Sequence, residues 1–298
     1  MKSLNQISVF IVSDDRYLRK ILKDVLVSSD IVNIRFVDDF ETINHELDMF
    51  VPDIVICDLG VGKDEIKTFV KDVRDSKCPC HPFLSIFVAS NDSDEKTISF
   101  LLDTAIDDLI IFPISAQKFI SRINFFVNHN KSFVVEENYV GPKRPSHDEK
   151  DVKSFEIPNL LYEKIENNSN DEDIQEFIDV AKGKVNDKKL ENYVLNFDEI
   201  TNKITKCFAE NKKGEAQIEL KGLQIILDDT MRRLVNTKYG YVSGLCVSLR
   251  EVVLSLLEAE TKKDMDLMIL LSKSIKKGFD EGAEAIAKDI ADLVDLKH

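Results

Sequence analysis

The sequence predicts an α/β unit built on a doubly wound, five-stranded parallel sheet, followed by an all-α helical bundle. Three observations carry this. Short continuous apolar runs alternate with helical patterns through the first 130 residues. Acidic residues stand where two of those runs end. From about residue 171 onward the chain has neither proline nor strand-like alternation.

The elements follow in order. Ile7–Val12 is an apolar run that ends in Ser13-Asp14-Asp15, and Leu18, Ile21, Leu22, Val25 and Leu26 then recur at helical spacing. Asn33–Val37 reads as a second strand, and Ile43, Leu47 and Phe50 as a helix that Pro52 ends. Ile54–Cys57 is a third strand leading into Asp58-Leu59-Gly60, with a helix over about 64–75. Phe83–Val88 is a fourth strand, with a helix over about 94–104. Leu109–Phe112 is a fifth, followed by Pro113 and a helix over about 115–128. Runs this apolar belong to strands covered by helices on both faces. Strand–helix alternation with short connections gives a parallel sheet.

Residues 131–170 change character. Gly141-Pro142-Lys143-Arg144-Pro145 and an Asn-rich, charged stretch read as a linker, in which Phe155, Ile157 and Pro158–Leu161 offer apolar groups for docking. The predicted organisation is therefore an α/β domain over 1–130, a linker over 131–170 and a helical domain over 171–298. Apolar faces recur in that last region. They are Phe197/Ile200/Ile204/Phe208, then Ile218/Leu223/Ile226/Leu227/Met231/Leu234, then Leu245/Leu249/Val252/Val253/Leu256. Leu267/Met268/Leu271/Ile275 and Ile286/Ile290/Leu293/Val294 complete the set. Gly214, Gly240, Gly278 and Gly282 mark breaks between them.

Composition excludes several classes. The formal net charge of −14 argues against general nucleic-acid affinity, which needs a surplus of Lys and Arg. Arg232-Arg233, Lys262-Lys263 and Lys276-Lys277 are interrupted by acids and read as solvated helix faces. No run approaches the ~18 apolar residues of a membrane span, so a cytoplasmic protein without a membrane partner is expected. Five scattered cysteines suggest reduced thiols. Cys78-Pro79-Cys80-His81 looks like half of a metal site, yet lacks a second ligand pair, and incidental thiols in a loop are the plainer reading. There is no P-loop, dinucleotide fingerprint or nucleophile elbow. The helical region has no histidine before the terminal His298, which argues against a phosphotransfer bundle.

Asp14, Asp15 and Asp58 would meet where strands one and three end, because parallel sheets place their sites beyond the strands' carboxyl ends. An oxygen-rich bowl suits Mg²⁺, and a carboxylate beside it can attack a phosphoryl group. With Ser90 after strand four and Pro113 after strand five, the segment 5–129 resembles the receiver domains of two-component response regulators, which have a flavodoxin-like fold. The resemblance implies Asp58 as phosphoacceptor and Ser90 as the hydroxyl that senses the phosphoryl group. It also implies Mg²⁺ held by Asp14, Asp15, Asp58 and the Gly60 backbone carbonyl. Two departures stand out: Phe112 occupies the position of the family's lysine, and Leu109 that of its aromatic switch residue. Lys63 is a candidate substitute for the missing ammonium, though a solvated loop lysine is the simpler reading.

The expected function is signal transduction, not enzyme catalysis. The input is phosphoryl transfer from a sensor histidine kinase or phosphotransfer protein. The output is protein contact through the helical domain, with room for a homodimer. The alternative is an atypical receiver that is never phosphorylated and serves as a protein-binding adaptor.

Overall fold

The computed structural model describes residues 4–92, 94–136, 139–149, 152–235 and 237–283. The chain forms two compact units, Met1–Lys182 and Gly183–His298. The apolar face at Ile286, Ile290, Leu293 and Val294 lies outside the described residues.

In the first unit, β1 (Ser8–Val12), β2 (Asn33–Val37), β3 (Ile54–Asp58), β4 (Ser85–Ser90) and β5 (Asp108–Ile111) form a sheet of order β2-β1-β3-β4-β5. Every pairing in it is parallel. Between the strands run α1 (Arg16–Ser28), α2 (Phe40–Met49), α3 (Lys63–Arg74) and α4 (Glu95–Asp103), and α5 (Ala116–Asn128) follows β5. This order is that of the flavodoxin-like doubly wound fold. Alternate strand residues serve opposite faces. Val9, Ile11, Ile54, Ile56 and Phe87 pack with α1 and α5, through Leu22, Leu26, Phe119 and Ile123. Phe10, Val12, Val55, Ile86 and Val88 pack with α2, α3 and α4, through Leu47, Val70 and Leu101. Strand four begins two residues later than the apolar run suggests: Phe83 and Leu84 are buried before pairing starts, and Phe83 packs edge-on against Phe133 at 5.5 Å.

The stretch read as a linker is folded. β6 (Ser132–Val135) lies between β7 (Val140–Pro142) and β8 (Ser154–Glu156) in a small antiparallel sheet within the first unit, and the short helix α6 (Pro145–Glu149) connects β7 to β8. Burial and ion pairs tie it to the rest of the unit. Phe133, Val134 and Val135 are buried. Asp107 bridges Arg74 and Lys131, each at 2.8 Å. Arg74, buried in α3, also donates to the carbonyls of Pro82, Leu84 and Ala105. After β8, the short helix α7 (Leu160–Tyr162) and a π-turn (Glu163–Asn167) place Leu161 and Ile165 against the sheet face covered by α1 and α5. The predicted docking groups are thus used within the unit. Asn159 joins two helix ends here: its Nδ2 donates to the carbonyls of Phe126, Val127 and His129, and its Oδ1 accepts from the Tyr162 N–H.

Beyond α8 (Asp171–Ala209), the second unit contains α9 (Lys213–Leu234), α10 (Ser243–Glu258) and α11 (Lys262–Glu281). Its core gathers Phe197, Ile204, Leu220, Leu223, Leu227, Leu249, Val253, Met268 and Ile275, as the helical periodicity predicts. Ile218 is a correction: it is 70% exposed, because the buried stripe of α9 runs through Ala216, Leu220, Leu223 and Leu227. The break before α9 falls at Asn211, in left-handed conformation (φ 61°), with Gly214 already helical. Asn is one of the few residues that take this backbone at a helix end. Gly278 likewise lies inside α11, which ends at Gly282 (φ 90°). Gly240–Glu258 is long and apolar enough to cross a membrane by length and composition alone. In this fold it supplies Leu245, Leu249, Val253 and Leu256 to the bundle core.

Candidate functional site

The β1–β3 seam is where strand order reverses, and such a switch point opens a crevice at the carboxyl ends of the strands. Register sets what lines it. Val12 lies beside Cys57, so Ser13, the first residue past β1, comes level with Asp58, the last of β3. Asp58 lies beside Ala89, putting Ser90 one step further out, and Ser90 pairs with Ile111. The Phe112 N–H donates to the Ser90 carbonyl at 2.9 Å, bringing Phe112 to the same rim.

The Asp58 carboxylate is held from two sides. Its Oδ1 accepts the Gly60 N–H at 2.8 Å, and its Oδ2 accepts the Ser13 hydroxyl at 2.7 Å. Two of its roughly four lone-pair sites are used this way. A side chain at Gly60 would bring Cβ to 3.2 Å from Asp58 Oδ1, so glycine lets the loop fold over the carboxylate. Ser13 also accepts the Asp15 N–H at 3.1 Å, and Arg19 Nε donates to the Ser13 carbonyl at 2.6 Å. The Arg19 guanidinium is anchored further by Asp38 and by the Phe36 ring. Neither Ser13 nor Arg19 stands out in sequence; a small hydroxyl residue after a strand is too common to signal a site.

Asp15 is engaged locally. It is the N-cap of α1, with Oδ1 accepting the N–H groups of Tyr17 (2.7 Å) and Leu18 (3.3 Å). That use satisfies amides with no partner inside the helix. Asp14, between Ser13 and Asp15, is exposed. Ser90 is buried and closes a local turn, donating to the Asp92 carbonyl and accepting the Asp92 N–H, both at 2.9 Å. Lys63 Nζ donates to the Thr97 hydroxyl at 2.7 Å, tying the start of α3 to the first turn of α4. Thr97 in turn donates to Asp92 (3.1 Å) and to Asp94. The Thr97 hydroxyl and N–H pull the Asp94 carboxyl down to about 2. Phe112 packs against the apolar core that lies under α1 and α5, and Leu109 against the core on the other face.

Among the described residues, no three His, Cys, Asp or Glu side chains gather closely enough to hold a metal ion. The Asp58 carboxylate is the oxygen donor that the described contacts fix at the crevice. Mg²⁺ needs only one or two carboxylates and keeps several waters, so a fixed carboxylate with free lone pairs has the right chemistry.

No protein-family profile matches the chain, and no curated protein matches it. Solved structures do. A Thermotoga maritima response regulator is 18% identical, with 40% of this chain and 94% of that one covered and a TM-score of 0.35. Chemotaxis protein CheY4 of Vibrio cholerae is 14% identical, covering 40% and 96%, with a TM-score of 0.35. The receiver domain of a Pseudomonas aeruginosa sensor histidine kinase, described with magnesium in its active site cleft, is 13% identical, covering 40% and 94%, with a TM-score of 0.35. The fold assignment itself rests on sheet order and on helices covering both faces. On that footing, the front of this chain is similar in fold to response regulator receiver domains.

Proposed function

We propose that this chain is a two-component signalling protein whose first unit accepts a phosphoryl group on Asp58 and whose helical unit relays that state by protein contact. The observation that carries the reading is the Asp58 carboxylate itself, fixed at the strand-reversal crevice by the Gly60 N–H and the Ser13 hydroxyl. One of its oxygens attacks phosphorus, and the bond from phosphorus to the donor breaks as the new O–P bond forms. The donor is a sensor histidine kinase or phosphotransfer protein. Asp14, Asp58 and the Gly60 carbonyl are the groups that would hold Mg²⁺, which when bound offsets the negative charge gathered there. Ser90 stands on the neighbouring strand end with a hydroxyl that its present turn engages.

The helical unit's basic residues support a protein partner over nucleic acid. Arg232 and Arg233 fold back on Asp229, Arg250 on Asp228 and Lys276 on Asp198. Ile218 and Ile225, 70% and 69% exposed on α9, give that unit apolar contact surface. A cytoplasmic setting, a signalling role without metabolic catalysis and self-association as a homodimer all accord with this reading.

Acetyl phosphate with Mg²⁺ tests it by intact mass. One phosphoryl group is expected on the wild type and none on Asp58→Ala. A second reading, an adaptor that is never phosphorylated, is favoured by Phe112, an apolar ring in the core where the resemblance places a lysine. A ring cannot supply a charge-assisted hydrogen bond to a phosphoryl oxygen. Beryllofluoride binding with Mg²⁺ separates the two. No binding by the wild type, and none gained by Phe112→Lys, leaves the adaptor.

A further inference from the structure

The loop between α3 and β4 carries Cys78-Pro79-Cys80-His81 at the end of the sheet opposite Asp58. Pro79 fixes its own φ, and Pro82 restricts His81 before it. The result is a turn that brings the Sγ atoms of Cys78 and Cys80 to 2.7 Å. The two sulfurs are in direct contact, so a bond between them needs no movement of the backbone. Cys80 is buried, Cys78 is half-buried, and both line a cavity of about 350 Å³ shared with His81, Ser85 and Lys131. A cavity of that size admits a small oxidant.

We propose that Cys78 and Cys80 form a reversible redox site, oxidised by peroxide to a disulfide within the three-residue turn. The two thiols are unequal in a way that suits these roles. A hydrogen bond from Cys80 draws the Cys78 thiol below its usual value. That same bond, with burial, keeps Cys80 protonated. His81 does not supply the positive charge: burial, with Arg74 and Lys131 nearby, pushes its pKa down to about 3, so the ring is neutral. Attack begins at the more acidic and more accessible sulfur. The Cys78 thiolate attacks one peroxide oxygen, the O–O bond breaks, and sulfenic acid and hydroxide form. Cys80 Sγ then attacks Cys78 Sγ and displaces the second hydroxide. The protons released by the two thiols convert both hydroxides to water. The balance is two thiols and one peroxide to one disulfide and two waters. Such a short ring is strained, and strained disulfides are readily reduced by thiols.

The full chain contains its own controls, since Cys57, Cys207 and Cys246 are buried in the cores. The wild type is treated with graded hydrogen peroxide, the remaining thiols are blocked with N-ethylmaleimide, and tryptic peptides are weighed. The peptide holding Cys78 and Cys80 is expected to lose two hydrogens and take no maleimide, at doses that leave the other three thiols free. Dithiothreitol is expected to reverse this. In Cys80→Ser the same dose is expected to drive Cys78 on to sulfinic acid. If the wild-type peptide takes two maleimides at every dose sparing the other thiols, or if Cys78 becomes sulfinic without bridging, the redox pair is refuted.

Discussion

Ser13 donates its hydroxyl hydrogen to Asp58 Oδ2 at 2.7 Å, across the seam between β1 and β3. The contact puts a neutral group where a further carboxylate would strengthen a cation site. Ser13→Asp is expected to tighten Mg²⁺ binding roughly tenfold, since ligand charge tunes hard-cation affinity. Calorimetric titration measures this, and an unchanged affinity would remove Ser13 from the rim.

Asp107 holds the first unit together from inside. Burial alone pushes its carboxyl up, but Lys131 and Arg74 outweigh that and leave it below the usual value. Arg74→Ala leaves Asp107 with Lys131 alone and takes the donor from the carbonyls of Pro82, Leu84 and Ala105, and is expected to cost about 3 kcal/mol in urea unfolding. The pH dependence follows from the lowered value. The pair's contribution is complete above the ordinary carboxylate range and is lost as pH falls through the folded value. Asp107→Asn is expected to flatten that part of the acid limb.

The two cores were legible in sequence because apolar runs such as Ile54–Cys57 have one reading when helices flank them. The small sheet was not. Its strands are short, and Gly141 and Pro142, which look like a turn, sit in β7 at the sheet edge, where proline's missing N–H costs no pairing. The acid pair was visible, yet Asp before a helix is equally the mark of an N-cap. Only the fold shows that Asp15 serves as one. Arg74 gave no sign at all, since a charged residue on a helix ordinarily faces water.

Gly141 tests whether that small sheet is integral. A Cβ there would stand 2.5 Å from the Ala105 Cβ and 3.3 Å from the Tyr139 ring. Gly141→Ala is expected to destabilise the first unit by about 1–3 kcal/mol, the usual cost of overpacking. Thermal unfolding reads it, and a neutral effect would mean that β7 is not seated there.

Asp229 has the corresponding role in the helical unit. Burial raises its carboxyl, but Arg233, helped by Tyr193 and Arg232, brings it down to about 2. The expected contribution is about 2 kcal/mol at neutral pH, complete above 3.8 and lost as pH falls through about 2. Asp229→Asn is expected to lower helical stability at pH 7 and to remove this acid sensitivity, as followed by circular dichroism.

Because a single Asn159 amide both closes α5 and opens α7, neither helix end can fray without exposing the other. Deuterium uptake at the last turn of α5 and at Leu160–Tyr162 should rise in step in Asn159→Ala. Displacement of α5 is thereby handed directly to Leu161 and Ile165 beneath the sheet, with no hinge between cause and response.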